Sequence, residues 1–329
     1  MADSLLKSNI IVKNEYFYTS FTETLREQYQ LFNAATRGGL VMLQRNHVGD
    51  FSDEIFWKWE DGLTSSRNPY DQKDETHKSL SMISDNMVKM GRRIGPIDFQ
   101  PSSLGWIGRT KAEHDAARAS QVAAQEMRAQ LNIAINAYIA AVGGVPELNA
   151  PAQSELTWQS LLDGASLFGD QYQDILCWVM PSSAIFKLWG NNLQNASHLF
   201  QWGGINVMSD PLGKPIIITD NATLINGDSA ILGLTSGAVQ IHDTGYFLDD
   251  EQMTLGKTNI MSTYQAEFDI EIGVKGFAYN ATDATKAPDE TKIKDKKNWK
   301  KVMTSHKDLA GVLIKVPKTA AAASPAAGA

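Results

Sequence analysis

The clearest periodicity in the chain runs from Tyr264 to Val274. Tyr264, Ala266, Phe268, Ile270, Ile272 and Val274 alternate strictly with Gln265, Glu267, Asp269, Glu271 and Gly273. A period of two predicts a strand with one buried face, about 36 Å long. Phe277 and Tyr279 are apolar on the opposite parity, and a β-bulge at or near Gly276 would account for the slip. A helical pattern of similar reach occupies Thr110 to Val142. It holds neither Gly nor Pro and repeats Met127, Leu131, Ile135, Tyr138, Ile139 and Val142 at spacings of three and four. Such a helix would extend roughly 50 Å, and Gly143, Gly144 and Pro146 end it. Its first half offers only alanines and one valine as an apolar face, so it needs close backbone packing against a sheet. A strand and a helix of this length predict an elongated, thin domain.

Other stretches fill in around these two. Thr22 to Thr36 places Leu25, Tyr29 and Phe32 on one helical face, with Thr22 as N-cap and Gly38-Gly39 as the stop. The residues before it read as an extended arm. From Val41 to Phe99, two strand-like arms flank a polar turn at Ser65–Asp71, which predicts a long β-hairpin. Phe56, Trp57 and Trp59 sit in it among Asp53, Glu54, Glu60 and Asp61, so the excursion cannot build a core alone and must pack on something else. The residues by themselves leave open a large loop lying on its own domain. Pro151 to Gly256 alternates strands (Ile175–Met180, Ile205–Met208, Pro215–Thr219, Ala230–Leu234) with a helix at Ser182–Asn192, a mixed α/β pattern. A lysine-rich stretch after Asn280 leads to a strand at Val312–Val316. Thr319–Ala329 is low in complexity and reads as a disordered tail.

Composition adds exclusions. With 43% hydrophobic and 20% charged residues over 329 positions, the chain is neither collagen-like nor wholly disordered. Thirty basic residues against 37 acidic ones leave a formal charge of −7, which disfavours tight wrapping of nucleic acid and leaves only local or weak contact with a polyanion. The single cysteine, Cys177, excludes an internal disulfide and a cysteine-based metal site. No run approaches the roughly 20 apolar residues that span a bilayer, and the N-terminus lacks the apolar core of a secretion signal. A reducing cytoplasm is the expected place of folding.

The chain carries little that could do chemistry. Its six histidines (His47, His77, His114, His198, His242, His306) form no zinc-binding spacing, and no phosphate-cradling glycine loop is present. Gly233-Leu234-Thr235-Ser236-Gly237 puts its serine one place too late for a nucleophile elbow and reads as a β-turn. Cys177, inside an apolar strand, reads as a buried inert thiol. Glu267, Asp269 and Glu271 share one face of the long strand at roughly 7 Å intervals, too far apart to hold one small cation. Two of them could serve an inverting glycosidase; the favoured reading is an acidic stripe facing solvent or a partner. Lys89, Arg92 and Arg93 are its natural counter-charges.

In their order along the chain, several short motifs are similar to one phage coat subgroup. They are Thr22-Glu23-Thr24-Leu25, Val88-Lys89 with Arg92-Arg93, Val179-Met180-Pro181, Ile217-Ile218-Thr219-Asp220 and Gly237-Ala238-Val239. Val274-Lys275-Gly276-Phe277-Ala278-Tyr279 and Asn298-Trp299-Lys300-Lys301-Val302 complete the set. From about Thr22 to Val316 the chain resembles the major capsid proteins of tailed bacteriophages, whose fold is shared with encapsulins and the herpesvirus capsid floor.

The resemblance implies an α+β phage major capsid fold. It implies an N-terminal arm (1–40), an extended β-hairpin loop (41–100), a long spine helix and a peripheral domain with long strands (101–150 and 257–316). A central mixed α/β axial domain (151–256) and the tail (317–329) complete it. It further implies a non-enzymatic subunit, without cofactor or metal, that assembles with itself into the hexamers and pentamers of an icosahedral head around double-stranded DNA. Expected partners are a separate scaffolding protein, because the arm is too short to hold a scaffolding segment, together with a portal and a decoration protein. Contact with packaged DNA would be weak and non-specific. The location would be the virion, after synthesis and assembly in the bacterial host cytoplasm. No positions here match the lysine–asparagine cross-linking triad of some members. Trp57, Trp59, Lys89, Arg92, Arg93, Glu267, Asp269 and Glu271 are the expected inter-subunit contact. An encapsulin-like shell is the alternative in the same fold. A soluble hydrolase using Glu267 or Glu271 is the alternative of another class.

Overall fold

In the computed structural model, the apolar positions sort into two seven-stranded sheets gathered around one long helix. The structure describes residues 15–44, 51–57, 66, 70, 82–106, 108, 110–150, 156–189, 198–202, 205–209, 213–225, 229–255, 258–280 and 287–316. The first elements are α1 (Glu15–Ala35), β1 (Leu40–Gln44), β2 (Phe51–Trp57), β3 (Met82–Phe99) and the short α2 (Pro101–Trp106). The long helix α3 (Lys111–Val142) precedes β4 (Asn149–Ala150), α4 (Trp158–Ser166), β5 (Cys177–Met180) and α5 (Ser182–Trp189). Then come β6 (His198–Trp202), β7 (Ile205–Ser209), β8 (Pro215–Ile218), α6 (Ala222–Ile225) and β9 (Ser229–Leu234). The chain continues through β10 (Val239–Thr254), β11 (Met261–Val274), β12 (Phe277–Tyr279), α7 (Glu290–Lys294), β13 (Trp299–Lys301) and β14 (Gly311–Val316).

The long sheet is ordered β1-β10-β11-β12-β13, with β3 also on β11 and β2 on β3. Its alternation works as the sequence predicts: Tyr264, Ala266, Phe268, Ile270 and Ile272 are all buried on one face. That face is covered first by α1, whose Phe17, Phe21, Leu25, Tyr29 and Phe32 recur every three or four residues and are buried. The Phe17 ring sits 4.7 Å from Tyr264 and the Phe21 ring 6.2 Å from Phe268. The first half of α3 closes in through fully buried Ala119 and Ala123. Alanines alone would leave a gap, and Arg118 fills it. Its guanidinium lies 4.2 Å over Tyr264 and 5.1 Å over Phe17, held by Asp115 at 3.1 Å.

The second sheet is ordered β4-β14-β9-β5-β8-β7-β6. The second half of α3 meets it through Tyr138, fully buried, whose hydroxyl lies 2.8 Å from the Gly233 carbonyl and 3.0 Å from that of Val312. Such close approach requires glycine at Gly311. Its φ is +143°, and a Cβ there would stand 1.9 Å from the Gly233 oxygen and 2.6 Å from the Tyr138 hydroxyl.

Several expectations are corrected. Helix α1 begins at Glu15, seven residues before Thr22, because Phe17 and Phe21 extend the same apolar stripe; Thr22 is an interior residue whose hydroxyl donates back to the Tyr18 carbonyl at 2.7 Å. Residues 1–14 and the 317–329 tail lie outside the described residues. The phase slip at Gly276 is a two-residue hairpin turn and not a bulge: Val274 pairs with Phe277, and Gly276 has φ +78°. Residues 239–254, assigned to the axial segment with no strand expected there, form β10 in the long sheet, where Val239 and Ile241 face Val274 and Ile272. Strand β14, expected in the peripheral domain, lies in the second sheet between β9 and β4, where its apolar residues are covered. The expected loop is also shorter at its base, since β3 from Val88 to Phe99 pairs with β11 and β1 pairs with β10. What extends past the long sheet is β2 with the start of β3. The β-turn at Thr235–Ala238 is present, with the Ala238 amide donating to the Thr235 carbonyl at 3.2 Å.

Replacing Gly311 with alanine should destabilise the fold by about 3 kcal/mol or more, since backbone of β9 must move. Gly213→Ala, at φ +75° with nothing within 4 Å, should cost about 1–2 kcal/mol. Thermal unfolding of the two variants checks the contrast.

Candidate assembly surfaces

Register places the charged residues singled out from sequence on neighbouring strands of one chain. Glu267 faces Arg93, Asp269 faces Gly91 and Glu271 faces Lys89 across β11 and β3, on the sheet face away from α1. Lys89 reaches diagonally to Asp269 at 3.2 Å. Glu271 is fully buried, whereas Glu267 and Arg93 remain exposed. Antiparallel register thus sets the two rows side by side within one subunit, where Lys89 and Asp269 form an ion pair. Trp57 ends β2 opposite Met82, with its side chain outside the described residues; Trp59 lies outside them altogether.

Arg92 points the other way, onto the helices, as its parity with Val88, Met90 and Ile94 requires. Its guanidinium holds both oxygens of Glu126, at 3.2 and 3.0 Å, and reaches Glu290 of α7 at 3.3 Å. Gln130 donates to Glu126 at 3.1 Å, and the Tyr29 hydroxyl donates to Gln130 at 2.6 Å. One polar chain thus ties α1, α3, β3 and α7 together. Burial pushes the Glu126 carboxyl above its ordinary value, against the pull of Arg92. Burial draws Arg92 down, but its bonds to Glu126 and the charges of Glu126 and Glu290 outweigh it and hold it above its ordinary value. Burial also raises the Tyr29 phenol. Sequence reasoning missed Glu126, Gln130 and Glu290. The signal for the first two was their spacing with Ala119 and Ala123, which puts them on the buried stripe of α3.

Nothing among the described residues converges as a reaction centre. No three His, Cys, Asp or Glu side chains are grouped so as to hold a metal ion. The Cys177 thiol is pushed up to about 12 by burial, which leaves it a buried thiol. Glu267 and Glu271, one exposed and one enclosed, do not present a carboxylate pair to one substrate. No helix among the described residues is long and apolar enough to cross a membrane.

The surface is more informative. Trp106 is 93% exposed at the end of α2, Phe186 is 74% exposed on α5, and Leu255 is 73% exposed at the β10–β11 turn, flanked by exposed Met253 and Ile260. Isolated exposed apolar residues are ordinary, but Met253, Leu255 and Ile260 lie together at one turn of the long sheet and mark contact surface.

Two sheets on a shared helix, a β2–β3 strand pair running past the long sheet and exposed apolar side chains are features suited to packing against other copies. The chain belongs to the Gp13-like family, described as major capsid protein 13-like, whose model matches residues 9–313. It is thus a structural protein of a capsid, assembling with copies of itself, and its place is the virion. Solved chains share the fold at low identity. One from Microbacterium phage Oxtober96 is 10% identical, with TM-score 0.52 over 86% of this chain and 90% of that one. One from Mycobacterium phage Cain is 9% identical, with TM-score 0.51 over 85% and 89%. One from Mycobacterium phage Bobi is 9% identical, with TM-score 0.50 over 86% and 89%. No curated protein matches the sequence.

Arg92→Ala strands the Glu126 carboxylate, and should cost about 2–4 kcal/mol at neutral pH, discounted because the Arg92 side chain keeps 17% exposure. Arg92→Ala with Glu126→Gln should recover most of it. Glu126 binds its proton more tightly folded than unfolded. Its contribution is therefore present at acid pH and is lost as pH rises through its folded pKa. Removing Arg92 raises that pKa further and widens the window. Melting temperature against pH for the three proteins checks both statements.

Proposed function

We propose that this chain is the repeating subunit of an icosahedral phage head, arranged as hexamers and pentamers around double-stranded DNA. The observation that carries this reading is family membership across residues 9–313, to which the exposed side chains of Trp106, Phe186 and Leu255 add places for contact. In this reading the long sheet with α1 and the first half of α3 is the peripheral domain, and the second sheet is the axial domain. Residues 51–87 form the extended loop and lie over the neighbouring subunit's peripheral domain, with Trp57 and Trp59 in that contact. Of the charged row, Arg93 and Glu267 are the members still free to face a neighbour; Lys89, Arg92, Asp269 and Glu271 act within the subunit and stiffen the loop's base. Assembly takes place in the host cytoplasm with a separate scaffolding protein, on a portal, and a decoration protein then binds the outer wall. The family match favours this reading over an encapsulin-like compartment.

Sedimentation and negative-stain microscopy test it. Produced with its scaffolding protein, the chain should form closed particles, and Arg93→Glu should lower their yield by about tenfold while costing the subunit no more than about 1 kcal/mol, from the like charge it sets opposite Glu267. Normal yield from Arg93→Glu removes that residue from the contact. A well-behaved monomer near 36.1 kDa under every condition overturns the assembly itself.

A further inference from the structure

The chain is acidic overall, yet eight lysines and four acids fall between 289 and 315, and no arginine occurs after Arg128. The fold turns this composition into a surface. Ile293 and Trp299 are buried under α7 and β13, and the Trp299 indole donates to the Ile293 carbonyl at 2.9 Å. Pinning these two inward forces Lys294, Lys296, Lys297 and Lys300 outward, and all four are exposed. Three of the four acids are held by specific partners. Asp289 caps α7 at the Lys292 amide, Asp295 accepts from the Lys297 amide, and Glu290 is held by Arg92. The four lysines make no ion pair among the described residues, and residues 289–301 hold six lysines against three acids, so positive charge is in surplus there. Lysine on edge strand β13 also discourages edge pairing, but that does not account for Lys294, Lys296 and Lys297, which lie off the strand.

Resting on the capsid reading, we propose that this lysine face contacts the phosphate backbone of packaged double-stranded DNA, and so looks into the shell. Its chemistry fits that partner. Ammonium groups on flexible stems act as point charges, without the forked geometry by which arginine grips a phosphate or carboxylate. They give sequence-independent, salt-sensitive contact. A face built this way holds DNA near the wall loosely, while the remaining negative charge of the subunit keeps the grip weak.

Fluorescence anisotropy of the full-length protein with a short labelled duplex tests this across about 50 to 200 mM salt. The slope of log affinity against log salt should fall by about 3 to 4 in the variant Lys294→Gln/Lys296→Gln/Lys297→Gln/Lys300→Gln, with affinity at the lowest salt at least about tenfold weaker. Lys111→Gln/Lys214→Gln, away from the face, should bind like the parent. Equal slopes in parent and quadruple variant, or no binding by the parent, overturn the assignment. Microscopy of particles from the same preparations separates the alternatives. A quadruple variant that loses particle formation but keeps DNA affinity makes the face a contact between copies and overturns it. A parent that never forms particles defeats the capsid reading instead.

Discussion

One helix has to serve two sheets, and most of the architecture follows from how its 32 residues divide that work. In the second half, Tyr138 reaches two carbonyls of the second sheet, an approach that glycine at Gly311 makes sterically allowed. In the first half the helix is alanine-lined, and α1 with Arg118 supplies the volume that alanines lack. The helix is not the only link, since the Gly237 amide at the β9–β10 turn also donates to the Gly38 carbonyl just before β1. The capping box of Thr110 and Glu113 satisfies two backbone amides at its exposed start.

The second constraint is one-sided burial. The long sheet hides one face under helices, while its other face carries Glu267, Arg93, Tyr246 and Leu248 in the open. A subunit of this build keeps contact area in reserve. The Arg92–Glu126–Gln130–Tyr29 chain holds β3 to the helices. A buried ion pair is a weak source of stability, and here its use is orientation: four elements distant in sequence meet at one guanidinium and one amide. Such fixed geometry is what a closed shell needs, since small angular errors accumulate around a ring of copies.

Much of this was legible in the residues. The period of two in Tyr264–Val274 and the uninterrupted helical run from Thr110 gave the two longest signals, and both elements exist nearly as read. Burial of Cys177 and the turn after Leu234 followed from local apolar and glycine patterns. Strand β10 stayed hidden because the chain from Asp243 to Gly245 interrupts its alternation, and the register shifts there. The membership of β14 was not readable, because an apolar run says that a strand is buried but not in which sheet. Of the charged rows, Lys89 pairs with Asp269 while Arg92 turns to Glu126 and Glu290, and residue types carry no information about whether a pair closes within a chain or across two. Glu126 was overlooked since a single acid in a helix reads as solvated face unless its spacing with buried alanines is counted.

The central claim, that the uncovered parts of this subunit are completed by its neighbours, is tested most directly by an electron cryomicroscopy reconstruction of the assembled particle. The account predicts density for residues 51–87 lying across the long sheet of the adjacent subunit, with Leu255 and Trp106 enclosed at contacts between copies. Density for that segment folded onto its own long sheet, with both side chains open to solvent, would contradict it.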